Sequence, residues 1–306
     1  MLFKIKQIYF ALFCSLVVAL SAQQDAQYTQ YMFNGLAINP AYAGSQDALN
    51  LTLLVRKQWV AIDGAPQTFT FSAHSPLANH PMGVGLQVVN DRIGVFRETS
   101  IYGSYTYWLP VGKGRLAMGV QAGMNRISSN LSELTAKDDA DNLLDANTQV
   151  RTRPNFGTGL YYYTDKGYLG ISIPRLLNHE FINVEGNTLF KQVRHFYISG
   201  GYVFTLNPNW KVKPNVLVKQ VNGAPIEADI NVNFLFIERL WLGVSWRSFD
   251  SFDFLTQFYI TKQLSVGYAY DLTTTRISSF TGGSHEFLVN YLFSLNHGRV
   301  INTRYF

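Results

Sequence analysis

The chain lacks cysteine pairs, which excludes stabilisation by disulfides. Its 306 residues include one cysteine, Cys14, which lies in the apolar stretch 8–20 behind two lysines. A charged start, an apolar core and small residues before position 23 predict a secretory signal peptide at residues 1–22. The mature chain would then contain no cysteine, so burial or lipid must stabilise it in place of covalent links.

Long apolar runs and a strong charge are also missing. Beyond the N-terminal stretch, no apolar run approaches the roughly 20 residues that a membrane-spanning helix needs, so we predict no such helix in the mature chain. The formal net charge is +5, from 25 basic and 20 acidic residues, and the basic residues are scattered. A charge this small and dispersed argues against nucleic acid as a partner.

Catalytic and metal-binding patterns are missing as well. The six histidines include no pair at helical metal-ligand spacing. Ser284, His285 and Glu286 adjoin in sequence, but neighbours on a strand point to opposite faces and do not form a triad. We therefore predict no enzyme activity and no cofactor.

Acidic residues cluster in one long connection: Asp138, Asp139, Asp141 and Asp145. Their spacing does not match the calcium-binding loop of an EF-hand. We therefore favour a solvated, charged loop surface over a calcium site at this position.

The sequence does contain a series of short alternating segments. After residue 46 it reads as about fourteen β-strands separated by turn and loop signals. The predicted strands are 49–61, 65–75, 82–90, 98–109, 115–127, 155–164, 167–176, 194–205, 209–219, 226–237, 239–249, 251–261, 264–272 and 285–296.

The connections between these segments alternate between short and long. If the chain enters from the periplasm, the even-numbered connections are tight turns, while the long ones at 128–154, 177–193 and 273–284 are all odd-numbered. Transmembrane β-barrels have an even strand number, short periplasmic turns and longer extracellular loops. The pattern therefore predicts an all-β fold, an antiparallel barrel in the outer membrane of a Gram-negative bacterium.

Apolar and polar residues alternate within the segments. Val120 and Phe234 belong to one face of their strands, and Gln121 and Asn233 to the other. Such alternation suits a barrel with an apolar wall and a polar lumen, although a soluble β-sandwich would show it too. The signal peptide, the loop parity and the 15% aromatic content favour the barrel, because aromatic residues form girdles at membrane interfaces. We expect substitution by arginine to destabilise the barrel less at Gln121 and Asn233, which face the lumen, than at Val120 and Phe234.

Residues 23–46 precede the first strand and are rich in aromatic and large apolar side chains. Disordered segments are poor in such residues, and exposing them would create an interaction surface, so we predict an ordered element. It either plugs the lumen or docks a partner at the periplasmic mouth. The predicted organisation is a signal peptide at 1–22, this segment, the barrel at 47–296 and a tail at 297–306. The residues expected to carry the role are Tyr31, Met32, Phe33, Asn34, Asn39, Pro40 and Tyr42.

The same segment carries a family resemblance. Residues 30–34 and 39–44 resemble the N-terminal signature of the PorP/SprF family, outer-membrane proteins of the type IX secretion system. The resemblance continues in order along the mature chain, at residues 64–68, 72–77, 90–94, 155–162, 168–174, 240–247, 267–271 and 283–286.

The resemblance implies a non-enzymatic barrel similar in fold to fatty-acid transporters. It implies support for the export or surface anchoring of proteins that carry type IX C-terminal signals. Family partners include a large adhesin of gliding motility, the periplasmic secretion ring and a peptidoglycan-binding lipoprotein. The alternative is an outer-membrane transport barrel for small hydrophobic molecules, which rests on likeness of fold alone.

Overall fold

The computed structural model describes residues 26–130, 149–182 and 188–293. Within these residues the chain forms a closed antiparallel β-barrel of 14 wall strands. The described residues contain seventeen strand segments, because two segments make up one wall strand and two others form a small separate sheet. The strands are β1 (Leu49–Lys57), β2 (Gln67–Pro76), β3 (Met82–Ile93), β4 (Phe96–Val111), β5 (Gly114–Ser129), β6 (Gln149–Tyr163), β7 (Gly167–Ile173), β8 (His179–Ile182), β9 (Thr188–Gln192), β10 (His195–Tyr202), β11 (Phe204–Asn207), β12 (Trp210–Val221), β13 (Glu227–Phe236), β14 (Leu240–Arg247), β15 (Ser251–Tyr259), β16 (Leu264–Thr273) and β17 (Ser284–Phe293).

Pairing of the first and last strands closes the barrel. β1 runs antiparallel to β17, with Leu49 opposite Phe293 and Lys57 opposite His285. β10 and β11 together make one wall strand, because both pair with β12. They are separated only at Val203, whose backbone N–H donates to the Lys166 carbonyl at 2.6 Å. Closure gives every described wall strand two hydrogen-bonded neighbours, which strands need in order to cross a bilayer.

The two faces of the wall differ as the alternation predicts. Val120 and Phe234 are 55% and 39% exposed on the outside. Gln121, which follows Val120, and Asn233, which precedes Phe234, face the inside and are 6% and 0% exposed. The predicted facing of these strands is therefore confirmed, and the apolar outer surface suits contact with lipid chains.

The connections give the barrel its direction. Every even-numbered connection is short, including residues 112–113 and 208–209, whereas the fifth spans residues 130–148 and the seventh spans 174–194. Because short turns of such barrels are periplasmic, we call this the periplasmic end and the opposite one the outer end. Some odd-numbered connections, such as residues 94–95, are as short as the turns.

Most strand boundaries lie within three residues of the prediction, and the largest differences are at β1 and β6. β1 ends at Lys57 and not at 61, since Trp59 and Ala61 adopt positive φ angles of 44° and 80°, which end the pairing. β6 begins at Gln149 instead of 155. The seventh connection contains the small separate sheet of β8 and β9, which the sequence reading missed.

Four 3₁₀ helices complete the described structure: Tyr31–Phe33, Gly35–Ala37, Pro40–Tyr42 and Arg276–Ser279. In the described parts of the chain no helix has the length and apolar character required to cross a membrane. The signal peptide and the C-terminal tail lie outside the described residues, and the domain boundaries stay predictions.

Candidate functional site inside the barrel

Residues 26–48 lie inside the ring of strands. Hydrogen bonds tie this N-terminal segment to inward-facing side chains on several sides of the wall. Tyr28 Oη lies 2.9 Å from Thr70 Oγ1 on β2. Ser172 Oγ on β7 donates to the Ile38 carbonyl at 2.6 Å. The segment is thus anchored to the strands across the interior and not to one edge.

The segment runs from the outer half of the barrel toward the periplasmic end. Thr29 lies beside Asp271 and Glu286, close to the outer ends of β16 and β17. Gly44 packs near Trp108, in the periplasmic half of β4, and β1 begins a few residues later. The first described residues are therefore nearest the outer end, and the chain descends the interior before it enters the wall.

At the outer end of the segment, Glu286 binds the backbone directly. Its two carboxylate oxygens accept the N–H groups of Thr29 and Gln30 at 2.9 and 2.8 Å. The Gln30 side-chain amide also donates to the Glu286 carbonyl at 3.3 Å. Hydrogen bonds of backbone N–H groups to a carboxylate are charge-assisted and roughly twice as strong as neutral ones.

Two arginines form ion pairs with buried acids around this contact. Arg56 lies 2.7 Å from Asp271 and 3.2 Å from Glu286, and all three side chains are at most 3% exposed. Arg247 lies 3.0 Å from Asp229. Taking such charges out of water is costly unless they are paired and hydrogen-bonded. The network therefore depends on every partner remaining in place.

The network also reaches the N-terminal segment. Arg56 Nη1 donates to Thr29 Oγ1 at 2.8 Å, and that hydroxyl donates to Asp271 at 2.9 Å. Arg247 Nη2 donates to the Tyr28 carbonyl at 3.4 Å. Tyr28 and Thr29 of the segment thus supply hydrogen bonds to buried ions in the wall.

Aromatic side chains hold the middle of the segment. The ring of Phe33 lies 6.2 Å from that of Trp241. The Lys213 ammonium lies 5.3 Å from both ring centroids, and Lys213 is fully buried. A cation over aromatic rings is attracted most strongly where water is excluded, so this contact favours the packed arrangement.

The periplasmic part of the segment is fixed by Asn39, Pro40 and Tyr42. The Asn39 side chain accepts from the Ala41 N–H at 2.9 Å and donates to the Leu160 carbonyl at 3.0 Å. It therefore caps the following 3₁₀ turn, in which proline takes the first position. The Pro40 carbonyl accepts from Thr106 at 3.0 Å. The Tyr42 ring packs edge-on against His74 and Tyr161, at 5.2 and 5.4 Å.

Glycines in the wall make room for this part of the chain. A Cβ atom at Gly119 would overlap the backbone of Pro40 and Ala41, and one at Gly159 would overlap the Asn39 amide. At Gly83 it would overlap Ala43. Backbone and wall therefore approach too closely for any side chain at these positions.

The remaining predicted site residues are buried but less completely bonded. Met32 and Asn34 are 5% and 3% exposed. Tyr31 is 1% exposed, borders a cavity with Asp229 and Arg247, and makes no hydrogen bond to any described residue through its hydroxyl. Burial raises the pKa of the Tyr31 phenol well above its usual range, so the group stays neutral. The structure brings all seven predicted residues into the interior.

Two features of the interior were not predicted from the sequence. They are the buried ion pairs and the position of the seventh connection over the interior. Gln121 donates to the Pro174 carbonyl at 2.8 Å, and Arg175 lies 2.8 Å from Glu98. Both wall residues face inward, so this connection lies over the interior at the outer end. A signal for the charged network existed, because Asp229, Asp253, Asp271 and Glu286 all occupy inward positions in the alternation.

A metal site finds no support among the described residues, where no group of three His, Cys, Asp or Glu side chains is arranged to hold an ion. The acidic cluster at Asp138, Asp139, Asp141 and Asp145 lies outside the described residues. The rejected triad behaves as expected of strand neighbours, since Glu286 is fully buried while His285 contacts Tyr268 on the outer face.

Comparison with known proteins gives a family and a fold. The model of the family described as "Type IX secretion system membrane protein PorP/SprF" matches residues 20–291. Searching the curated proteins gives no match. The Ralstonia pickettii toluene transporter TbuX superposes with a TM-score of 0.52 at 8% identity, over 87% of this chain and 93% of that one. The CymD monoaromatic hydrocarbon channel gives 0.52 at 10% identity, over 89% and 94%. At such identities the likeness shows the outer-membrane barrel fold alone.

Proposed function

The chain belongs to the PorP/SprF family of type IX secretion system membrane proteins, and from that premise we propose that it is a non-enzymatic outer-membrane component that acts by binding proteins. In this proposal it supports the export or surface anchoring of a secreted protein such as a large adhesin. Residues 27–44 act as a fixed plug that keeps the lumen closed to solutes while the secretion machinery works.

The observation that carries the proposal is the hydrogen-bonded N-terminal segment in the interior. An open transport path would need a continuous polar or apolar passage through the barrel. Here the segment's backbone is held by Glu286 at one end and by Thr106 at the other, and wall glycines such as Gly119 admit it. A closed lumen leaves the surfaces at the two ends of the barrel as the places where partners bind.

Burial of the segment supports the plug role over the docking role. A docking element at the periplasmic mouth would expose its aromatic side chains to a partner. Tyr31 and Tyr42 are 1% and 4% exposed, so they are not offered to another protein. The proposed periplasmic partners, the secretion ring or a peptidoglycan-binding protein, would therefore contact the turns at that end.

Secretion tests this function directly. We expect a deletion strain to retain proteins with type IX C-terminal signals in the periplasm, and the wild-type gene to restore their release. Outer-membrane complexes purified through a tag on the barrel should contain a secreted adhesin or secretion-ring proteins by mass spectrometry. Normal release in the deletion strain, combined with slower uptake of small hydrophobic compounds, would support the transport alternative instead.

A partner test uses a variant that keeps the fold. A tag inserted at the turn of residues 112–113 should leave assembly intact, because Gly112 contacts nothing within 4 Å at its Cβ position. If the periplasmic turns bind the machinery, bulky insertion there reduces co-purification of periplasmic proteins. Insertion at residues 94–95, at the outer end, is the matched control and should leave that recovery unchanged.

A further inference from the structure

Three arginines lie together on the outside of the wall at its outer end. Arg92 on β3 stands directly opposite Arg97 on β4. Arg126 on β5 stands opposite Thr99, two residues from Arg97, so it is the diagonal neighbour of Arg97. Directly opposed Cβ atoms lie about 4.5–5.5 Å apart and diagonal neighbours about 7–8 Å. The three guanidinium groups therefore share one small patch, which we call the arginine patch.

The arginine patch adjoins the lipid-facing surface. The next row on the same face toward the membrane centre consists of Val88, Ile101 and Met124, and Ile101 and Met124 are 51% and 60% exposed. The short connection of residues 94–95 begins just beyond the patch. The patch is thus at the boundary between hydrocarbon and headgroups in the outer leaflet, where long basic side chains extend toward the polar region.

Nothing among the described residues neutralises the patch. Arg92, Arg97 and Arg126 are exposed, and none of them forms an ion pair or hydrogen bond with a described residue. The nearest acids on the same strands, Asp91 and Glu98, face inward. There they bond Thr68 at 2.6 Å and Arg175 at 2.8 Å.

An opposed pair of like charges on neighbouring strands is destabilising by itself. It becomes favourable when an anion bridges the two groups, and guanidinium groups bind phosphate oxygens in pairs. The only anions present at high density at this depth of the membrane are lipid headgroups. The geometry therefore fits a phosphate group held between β3, β4 and β5.

The patch is one-sided, which separates it from a general basic belt. On the opposite part of the wall, outward side chains near the outer ends of β13 to β16 are uncharged: Ala228, Trp246, Phe252 and Leu272. A belt that served only to anchor the barrel would surround it. A cluster on three adjacent strands is instead the size of a single headgroup.

We propose that the arginine patch is a binding site for a phosphorylated glycolipid of the outer leaflet. The acyl chains lie along Val88, Ile101 and Met124, and a phosphate group bridges Arg92, Arg97 and Arg126. The bound lipid neutralises the opposed arginines and fixes the outer ends of β3 to β5. This site is independent of the secretion role, because it requires only the barrel and its membrane.

Lipid binding is measured with the detergent-purified full chain and bis-phosphorylated lipid A. The variant Arg92→Gln, Arg97→Gln, Arg126→Gln should bind it roughly a hundredfold more weakly, since each basic side chain near an anionic surface contributes about one kcal/mol. The control variant Lys113→Gln, Lys166→Gln, Lys262→Gln removes the same charge from periplasmic turns and should bind as the wild type does. Equal loss in both variants would overturn the proposal, because the effect would then be one of net charge.

Two further arms identify the ligand. Lipid A without phosphate should bind the wild type as weakly as the patch variant binds the phosphorylated form; equal affinity for both lipids would contradict a phosphate site. Inorganic phosphate alone should bind far more weakly than lipid A, because it lacks the acyl contacts. Equally tight binding of inorganic phosphate would overturn the lipid assignment.

Stability gives a readout that does not depend on recovering bound lipid. Without phosphorylated lipid, Arg92→Gln should raise the unfolding midpoint, because it removes one of two opposed positive charges. With saturating lipid A the same substitution should lower the midpoint relative to the wild type. The reversal of sign supports a bridging anion, and a change of the same sign in both conditions would contradict it.

Discussion

The outer face and the interior of this barrel are built from alternate residues of the same strands, yet they solve opposite problems. On β1, Lys57 is exposed and its neighbour Arg56 is 1% exposed. On β17, Phe287 is 57% exposed while Glu286 is fully buried. The lipid-facing band of the outside needs only apolar side chains, because lipid makes no demand for hydrogen bonds. The inside buries ions, and each of them needs a partner.

The interior is consequently less tolerant than a water-filled lumen. We expected Gln121 and Asn233 to accept an arginine more easily than Val120 and Phe234. That expectation assumed solvent inside the barrel, but Asn233 is 0% exposed and Gln121 bonds the seventh connection. A new charge should therefore be destabilising on both faces. The outer face contacts lipid and offers no water, and the inner face has no space for a longer side chain.

Removing a buried cation should be the most damaging change. Arg56→Met leaves Asp271 and Glu286 without the guanidinium that pairs with both. We expect a loss of about 3–5 kcal/mol in the free energy of unfolding, measured by urea titration in detergent. Lys57→Met is the neighbouring control on the exposed face and should change the value by under about 0.5 kcal/mol. Equal effects of the two substitutions would contradict the contrast between the faces.

Charge insertion at adjacent positions should be costly on both faces. Phe234→Arg places a charge against lipid and should cost about 2–4 kcal/mol near the bilayer centre. Asn233→Arg should cost at least as much, since the longer side chain has no space and no water. Gln220→Arg, outward and near the outer end of β12, stands opposite the uncharged Phe196 and is the control, with an expected cost of about 0–1 kcal/mol. A cost of Asn233→Arg as small as that of the control would show instead that the lumen is hydrated.

Substituting alanine for glycine should destabilise the barrel on the inner face and not on the outer face of neighbouring strands. Gly119→Ala introduces a Cβ that overlaps Pro40 and Ala41, whereas the corresponding atom at Gly103 meets nothing within 4 Å. We expect the first substitution to cost about 1–3 kcal/mol. The second should be neutral or stabilising by about 0.5–1 kcal/mol, because alanine loses less backbone entropy than glycine. Thermal unfolding followed by heat-modifiable migration measures both, and a harmless Gly119→Ala would mean that the segment does not pack there.

Loss of a single hydrogen bond should give the smallest effect. Tyr28→Phe removes the 2.9 Å contact with Thr70 while it keeps the ring. We expect a cost of about 0.5–1.5 kcal/mol. Tyr105→Phe, on the outer face and 42% exposed, should leave the same urea midpoint unchanged. A larger effect at Tyr105 than at Tyr28 would reverse the account of the two faces.

The wall was predictable because its signal is local. Alternation between apolar and polar residues requires only that a strand separates lipid from interior, and it located all 14 wall strands. The start of β6 was missed for the same reason. Residues 149–154 form the outer end of β6, where Arg151, Thr152, Arg153 and Pro154 are exposed on both faces, so no alternation marks them as strand.

The interior was predictable only in part, because its contacts join distant residues. Aromatic content indicated that residues 23–46 are ordered, but it did not indicate where they lie. The location depends on space left by Gly119 and Gly159, on strands far along the chain. Likewise, the pairing of Arg56 with Glu286 exists only after β17 closes the barrel against β1. The alternation of apolar and polar residues within a strand does not indicate which distant strands will pair.

Conductance in planar bilayers tests the central claim, that the N-terminal segment fills the interior and closes it. The full-length mature chain should insert without a steady open current. The variant lacking residues 27–44 should assemble, migrate as a heat-modifiable barrel and give discrete ion-conducting steps. Matching conductance of the two proteins, whether both are open or both are silent, would contradict the claim.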